Sequence, residues 1–124
     1  MARPFYRPGA AARYRRQYNP AVAERRRAYA VEIASEAMAQ LRWLRRHAVT
    51  DARRVEDAIH ERLTYEPTRE DRNRKTTTEG APAPWELRVQ PYRVFYEVDE
   101  AHRRVTIVWF VRKPREASTP LPTT

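Results

Sequence analysis

The sequence predicts an α+β domain in the order β-α-α-β-β-β, with a helical hairpin packed on one face of a small, mostly antiparallel four-stranded sheet. Three observations carry this prediction. Residues 35–63 hold two apolar stripes at helical spacing with only a short turn between them. Residues 85–112 hold three strand-like runs in close succession, and residues 28–33 alternate ahead of the helices. At 124 residues the chain fits one domain with one modest core.

The elements follow in order. In "AYAVEI" (28–33), Tyr29, Val31 and Ile33 fall on one side and Ala30 and Glu32 on the other, the pattern of a half-buried strand. Ser35 is placed to cap a helix, with Glu36 suited to its dipole. Ala37, Leu41, Leu44 and Ala48 form its stripe, with Met38 beside them and Arg42, Arg45 and Arg46 outside. Thr50-Asp51 predicts a second cap, followed by Ala52, Val55, Ile59 and Leu63; Pro67 ends that helix. The segment 68–84 loses all periodicity and reads as a long loop, functional or mobile. Strands are predicted over 85–89, 92–98 and 105–112. In the last, Val105, Ile107, Trp109 and Val111 are assigned to one face, Val108 and Phe110 to the other. A strand apolar on both faces belongs inside a sheet, flanked by 28–33.

Charge divides the chain. The formal net charge is +9, but residues 1–27 carry eight arginines against Glu24 alone, so seven of those charges lie there. That segment reads as an extended or disordered basic arm ahead of the domain at 28–116, with 117–124 a flexible tail. The arm is open to three readings: a solvated tail, sequence upstream of a translation start at Val22, or a grip on phosphate backbone. There is no cysteine, hence no disulfide framework and no thiol nucleophile. The longest apolar run, 105–111, is far too short to span a bilayer, and no secretory signal pattern follows Met1, so a cytoplasmic protein is expected. No glycine-rich phosphate loop, nucleophile elbow or metal-ligand spacing is present, so no cofactor or metal is expected. His47, His60 and His102 read as surface residues.

The chemistry concentrates in "WELRVQPYRVFYEVDE" (85–100). A two-residue connection at Gln90-Pro91 sets Arg88 opposite Arg93, Leu87 opposite Val94 and Trp85 opposite Tyr96. The arginines then share the helix-free face with Glu86, Phe95 and Glu97. Like charges directly opposite on a sheet cost roughly 0.2–1 kcal/mol. Two readings offset that cost: neutralisation by Glu86 and Glu97, or an anion bound between the guanidiniums. Arg74 and Lys75 on the loop, and Arg112 and Lys113 at the end of the last strand, are candidate auxiliary cations; Phe95 is a candidate stacking platform for an unpaired base.

This hairpin, followed by "VTIVWFVRK" and preceded by "YEPTREDRNRKTTTEGAPAP", resembles the RelE/ParE family of bacterial type II toxins over about residues 28–116. The resemblance implies a cognate antitoxin and one of two targets. RelE-like members cut mRNA in the ribosomal A site, the 2′-hydroxyl attacking the adjacent phosphate; ParE-like members bind DNA gyrase. The family's strand arginines fall on Arg93 and Arg88, expected as catalytic, and its closing basic pair on Arg112-Lys113. Arg74, Lys75, Arg112, Lys113 and Phe95 are expected to bind RNA. Two lysines of RNA-cleaving members correspond here to Pro84 and Glu86, and their C-terminal tyrosine has no counterpart. The leading expectation is a ribosome-dependent, metal-independent mRNA endoribonuclease that inhibits translation. A gyrase inhibitor without chemistry of its own, or a degenerate toxin that only binds an antitoxin, are the alternatives.

Overall fold

The computed structural model describes residues 28–113 and 119–123. The predicted arm at 1–27 and the predicted domain end at 116 lie outside the described residues. The order is β1 (Ala30–Ile33), α1 (Ser35–His47), α2 (Val49–Leu63), β2 (Arg74–Thr76), β3 (Trp85–Val89), β4 (Tyr92–Asp99), β5 (Arg104–Arg112) and β6 (Thr119–Pro120). The sheet runs β1-β5-β4-β3-β2, with β6 also paired to β5. Only β1 against β5 is parallel; the other pairings are antiparallel. This is the α+β architecture the sequence predicts, with two short strands added. No helix among the described residues is long and apolar enough to cross a membrane.

Both helical stripes pack as their spacing predicts. Ala37, Leu41 and Leu44 of α1 and Ala52, Val55, Ile59 and Leu63 of α2 bury against Leu87, Val94, Tyr96, Val105, Ile107 and Phe110 of the sheet. The caps differ from expectation. Ala34 precedes α1 and Ala48 alone separates the helices, neither making a side-chain cap bond, so Ser35 and Thr50 lie inside their helices. An ion pair between Arg45 and Glu56 ties the hairpin across its outer face.

The last strand departs from simple alternation. Phe95 pairs with Trp109, but Tyr96 pairs with Ile107, so Val108 is an extra residue in a bulge. The bulge shifts the phase of β5. Val105 and Ile107 face the helices before it; Phe110 does so after it, and Trp109 and Val111 turn to the uncovered face. The expected grouping of Ile107 with Trp109 and Val111 is therefore corrected.

The segment expected as a flexible tail docks in its described part. β1 covers one edge of β5 only through Ile107, which leaves the edge open at Phe110. Thr119–Pro120 pairs with Arg112 and Val111, and the Leu121 N–H donates to the Phe110 carbonyl at 3.3 Å. Gln40, fully buried on α1, completes this edge. Its Nε2 donates to the carbonyls of Phe110 (3.0 Å) and Leu121 (2.8 Å), and its Oε1 accepts from the Phe110 N–H (2.8 Å). A polar residue at full burial is tolerated because it satisfies the Phe110 N–H and the Leu121 carbonyl, which have no other partner among the described residues, and adds a second bond to the Phe110 carbonyl. Gln40→Leu is expected to lower stability by about 2–4 kcal/mol through these stranded groups. Urea unfolding measures it; a loss below about 0.5 kcal/mol contradicts this role.

Candidate functional site

The β3–β4 hairpin adopts the register predicted for it. Gln90-Pro91 forms the two-residue turn, with a cis peptide between them. Arg88 pairs with Arg93, Leu87 with Val94, Glu86 with Phe95 and Trp85 with Tyr96. Leu87, Val94 and Tyr96 are buried under the helices, so period-two alternation sends Glu86, Arg88, Arg93 and Phe95 to the uncovered face. The β5 bulge sets Trp109 beside Phe95 and Val111 beside Arg93 on that face.

Glu86 holds the two arginines together. Its Oε2 accepts from Arg88 Nε at 3.0 Å and lies 2.9 Å from the second Arg88 nitrogen, Nη2; its Oε1 lies 3.9 Å from Arg93 Nε. The Arg88 side chain is one-third exposed, at 33%, whereas Arg93 and Glu86 are 10% and 14% exposed. Burial, and then the neighbouring Arg88 charge, pull the Arg93 guanidinium below its ordinary pKa, while Glu86 opposes them. Neutralisation by Glu86 is thus present, and the Arg93 head is drawn into the sheet surface. Glu97, the other acid expected to help, makes no ion pair with either arginine among the described residues and is exposed.

The auxiliary cations are divided by strand geometry. The loop 68–84 contains β2, an edge strand antiparallel to β3, with Lys75 opposite Glu86 and Arg74 opposite Leu87. Lys75 therefore joins the uncovered face, half-buried, while Arg74 turns toward the core. The Arg74 guanidinium donates to the carbonyls of Arg62 (3.0 Å) and Glu66 (2.9 Å) and pairs with Asp71 at 2.5 Å. It satisfies one carbonyl in the last turn of α2, where a cation is also favoured by the helix dipole, and one in the segment that follows. Its Nε has no hydrogen-bond partner among the described residues. Arg112 pairs with Tyr92 and lies on the helix side, not beside Arg93. There it lines a cleft of about 470 Å³ with Trp43, His47, Asp51, Tyr92 and Leu121. The Tyr92 hydroxyl donates to Asp51 at 2.6 Å within it. Lys113 is exposed, its N–H donating to the Pro91 carbonyl at 2.6 Å beside the hairpin turn.

A family model described as ParE toxin of type II toxin-antitoxin system, parDE, matches residues 31–117. The chain belongs to this toxin family. No curated protein matches it. As a type II toxin it has an antitoxin partner.

Of the seven residues singled out in the sequence, the toxin brings Arg88, Arg93, Lys75 and Phe95 to one face, with Lys113 near its rim. Arg74 and Arg112 point elsewhere. One member of this face escapes sequence reasoning: Trp109 arrives through a bulge that no glycine or proline announces. Glu86 lies on the face the sequence assigns to it and neutralises the arginines as one of the two sequence readings expects.

Asp71 gives a pH test of the Arg74 anchor. The hydrogen bond from Arg74, aided by the backbone N–H groups of Asn73 and Arg74, holds the Asp71 carboxyl well below the usual carboxylate range, against its burial. A carboxyl depressed in the folded state contributes stability that is present above its unfolded pKa, about 4, and lost as pH falls toward the folded value. Asp71→Asn is expected to destabilise the toxin at pH 7 and to flatten its stability loss below about pH 4. Arg74→Ala should cost about 3–5 kcal/mol and Lys75→Ala less than about 1. Equal costs for Arg74→Ala and Lys75→Ala in urea would contradict the division of roles.

Proposed function

We propose that this toxin is a metal-independent mRNA endoribonuclease that acts on ribosome-bound message and inhibits translation. The observation that supports it best is the convergence of Arg88, Arg93 and Lys75 on a helix-free sheet face beside Phe95 and Trp109. Cutting RNA through its own 2′-hydroxyl needs a group to take the hydroxyl proton, cations around a phosphate that gains charge, and surfaces that hold the flanking bases splayed. Guanidiniums suit the second role because their planar fork meets two phosphate oxygens at once. Adjacent aromatics suit the third. Arg93, at the centre of the pair and least exposed, is assigned the phosphate contact; Arg88 shares the charge.

The second reading is a toxin that binds gyrase without chemistry of its own. It is favoured by the turning of Arg74 and Arg112 away from the face, which leaves fewer cations for a phosphate than the sequence promised.

Primer extension on mRNA from cells making wild-type protein or Arg93→Ala separates the two. Codon-phased cleavage that falls at least about 100-fold in the variant is the expected outcome. Toxicity without phased cleavage, unchanged in Arg93→Ala, would contradict the nuclease reading.

A further inference from the structure

We propose that Asp51 is a positioning residue for the arginine pair: through Tyr92 and Arg54 it clamps the β3–β4 turn to the first turn of α2 and so fixes where Arg93 lies. The effect on rate rests on the nuclease reading. The clamp itself rests on the geometry of the turn.

The tip of the hairpin needs such a hold. β5 accompanies β4 as far as Tyr92, so the less supported side is that of β3. There β2 reaches only to Leu87, and one further hydrogen bond, from the Arg88 N–H to the Asn73 carbonyl at 2.7 Å, closes the edge. Val89, Gln90 and Pro91 project beyond it, and a two-stranded end is the part of a sheet most free to twist. Arg88 and Arg93 stand one residue pair from the turn, so a tilt of the tip displaces both guanidiniums.

Three contacts tie the tip to one stretch of α2. The Tyr92 hydroxyl donates to Asp51 Oδ2 at 2.6 Å. Asp51 Oδ1 lies 3.7 Å from Arg54 Nη2, and Arg54 Nη1 donates to the Gln90 carbonyl at 2.9 Å. Both residues flanking Pro91 are therefore held from the same helix, and Asp51 joins the two attachments because each of its oxygens serves one of them. Tyr92 passes the constraint on. Its ring is buried, it directly precedes Arg93, and its carbonyl accepts from Arg93 Nη1 at 3.4 Å. These contacts lie on the helix side of the sheet, away from the face that carries Arg93. Asp51 thus acts on position alone, and a misplacement of about 1 Å at a phosphate-binding group can cost roughly 100-fold in rate.

Tyr92→Phe and Asp51→Ala, singly and together in the full chain, test the clamp. Two readouts are taken. The Arg93 Nε–H signal in ¹⁵N NMR, identified by its loss in Arg93→Lys, reports the order of the guanidinium whether or not message is cut. Cleavage on programmed ribosomes gives kcat and KM separately. The expected result is an Arg93 signal ordered in wild type and disordered in each variant. With it, kcat falls about 10- to 100-fold while KM stays within about threefold, and the double variant is no worse than either single one. Circular dichroism confirms that the variants are folded at the assay temperature. An Arg93 signal as ordered as in wild type in folded Tyr92→Phe and Asp51→Ala would overturn the proposal, as would additive losses in the double variant. A purely stabilising role gives the first of these results, with lowered urea midpoints and kcat unchanged. If wild type leaves the message intact while the Arg93 signal responds as expected, the clamp stands and the nuclease reading fails.

Discussion

The placement of every charged group at the site depends on burial of Leu87, Val94, Tyr96, Ile107 and Phe110 beneath the helix hairpin. Those side chains fix which residue of each strand looks toward the core, and a one-residue slip would exchange the two faces of the sheet. Exposing such a set would forfeit roughly 1.5–3 kcal/mol per side chain, far more than the roughly 0.2–1 kcal/mol by which facing Arg88 against Arg93 is unfavourable. The apolar face therefore dictates the register, and the arginine pair is its consequence. Glu86 then relieves the repulsion from within the same strand.

The same alternation distributes the remaining cations. Arg74 and Lys75 are neighbours in the chain, yet β2 sends one to the core side and the other to the uncovered face. Arg74 consequently joins Asp71 in anchoring the end of α2, a structural task. Arg112 and Val111 are parted in the same way, which takes Arg112 to the cleft beside Tyr92. What remains on the open face is a compact group: two arginines, one lysine, one carboxylate and two aromatic rings. A face of this kind has modest net charge, so the RNA contact proposed for it would draw on stacking and on directed hydrogen bonds as much as on bulk attraction.

Much of this architecture was legible in the sequence because its signals are periodic and local. The helical stripes and the two-residue hairpin left little freedom, so the pairing of Arg88 with Arg93 could be written down in advance. The features that were missed depend on contacts between distant segments. β2 lies in a polar run with no alternation of hydrophobicity, and it exists because β3 offers it an edge. Val108 bulges where one apolar residue follows another, so the shift that brings Trp109 to the site leaves no compositional trace. Gln40 looks like an ordinary polar residue on a helix. Only the open edge of β5 at Phe110, and the return of Leu121 to cover it, explain why an amide is buried there.

Helix hairpin, sheet register and bulge together place a carboxylate beside two guanidiniums on the helix-free sheet face, and the RNA cleavage proposed for this toxin rests on that placement. The most direct test presents purified full-length toxin in parallel with programmed ribosomes and with DNA gyrase acting on relaxed plasmid. The account predicts message cut to ends bearing 2′,3′-cyclic phosphate and 5′-hydroxyl groups, with supercoiling unaffected. Intact message together with inhibited supercoiling would contradict it.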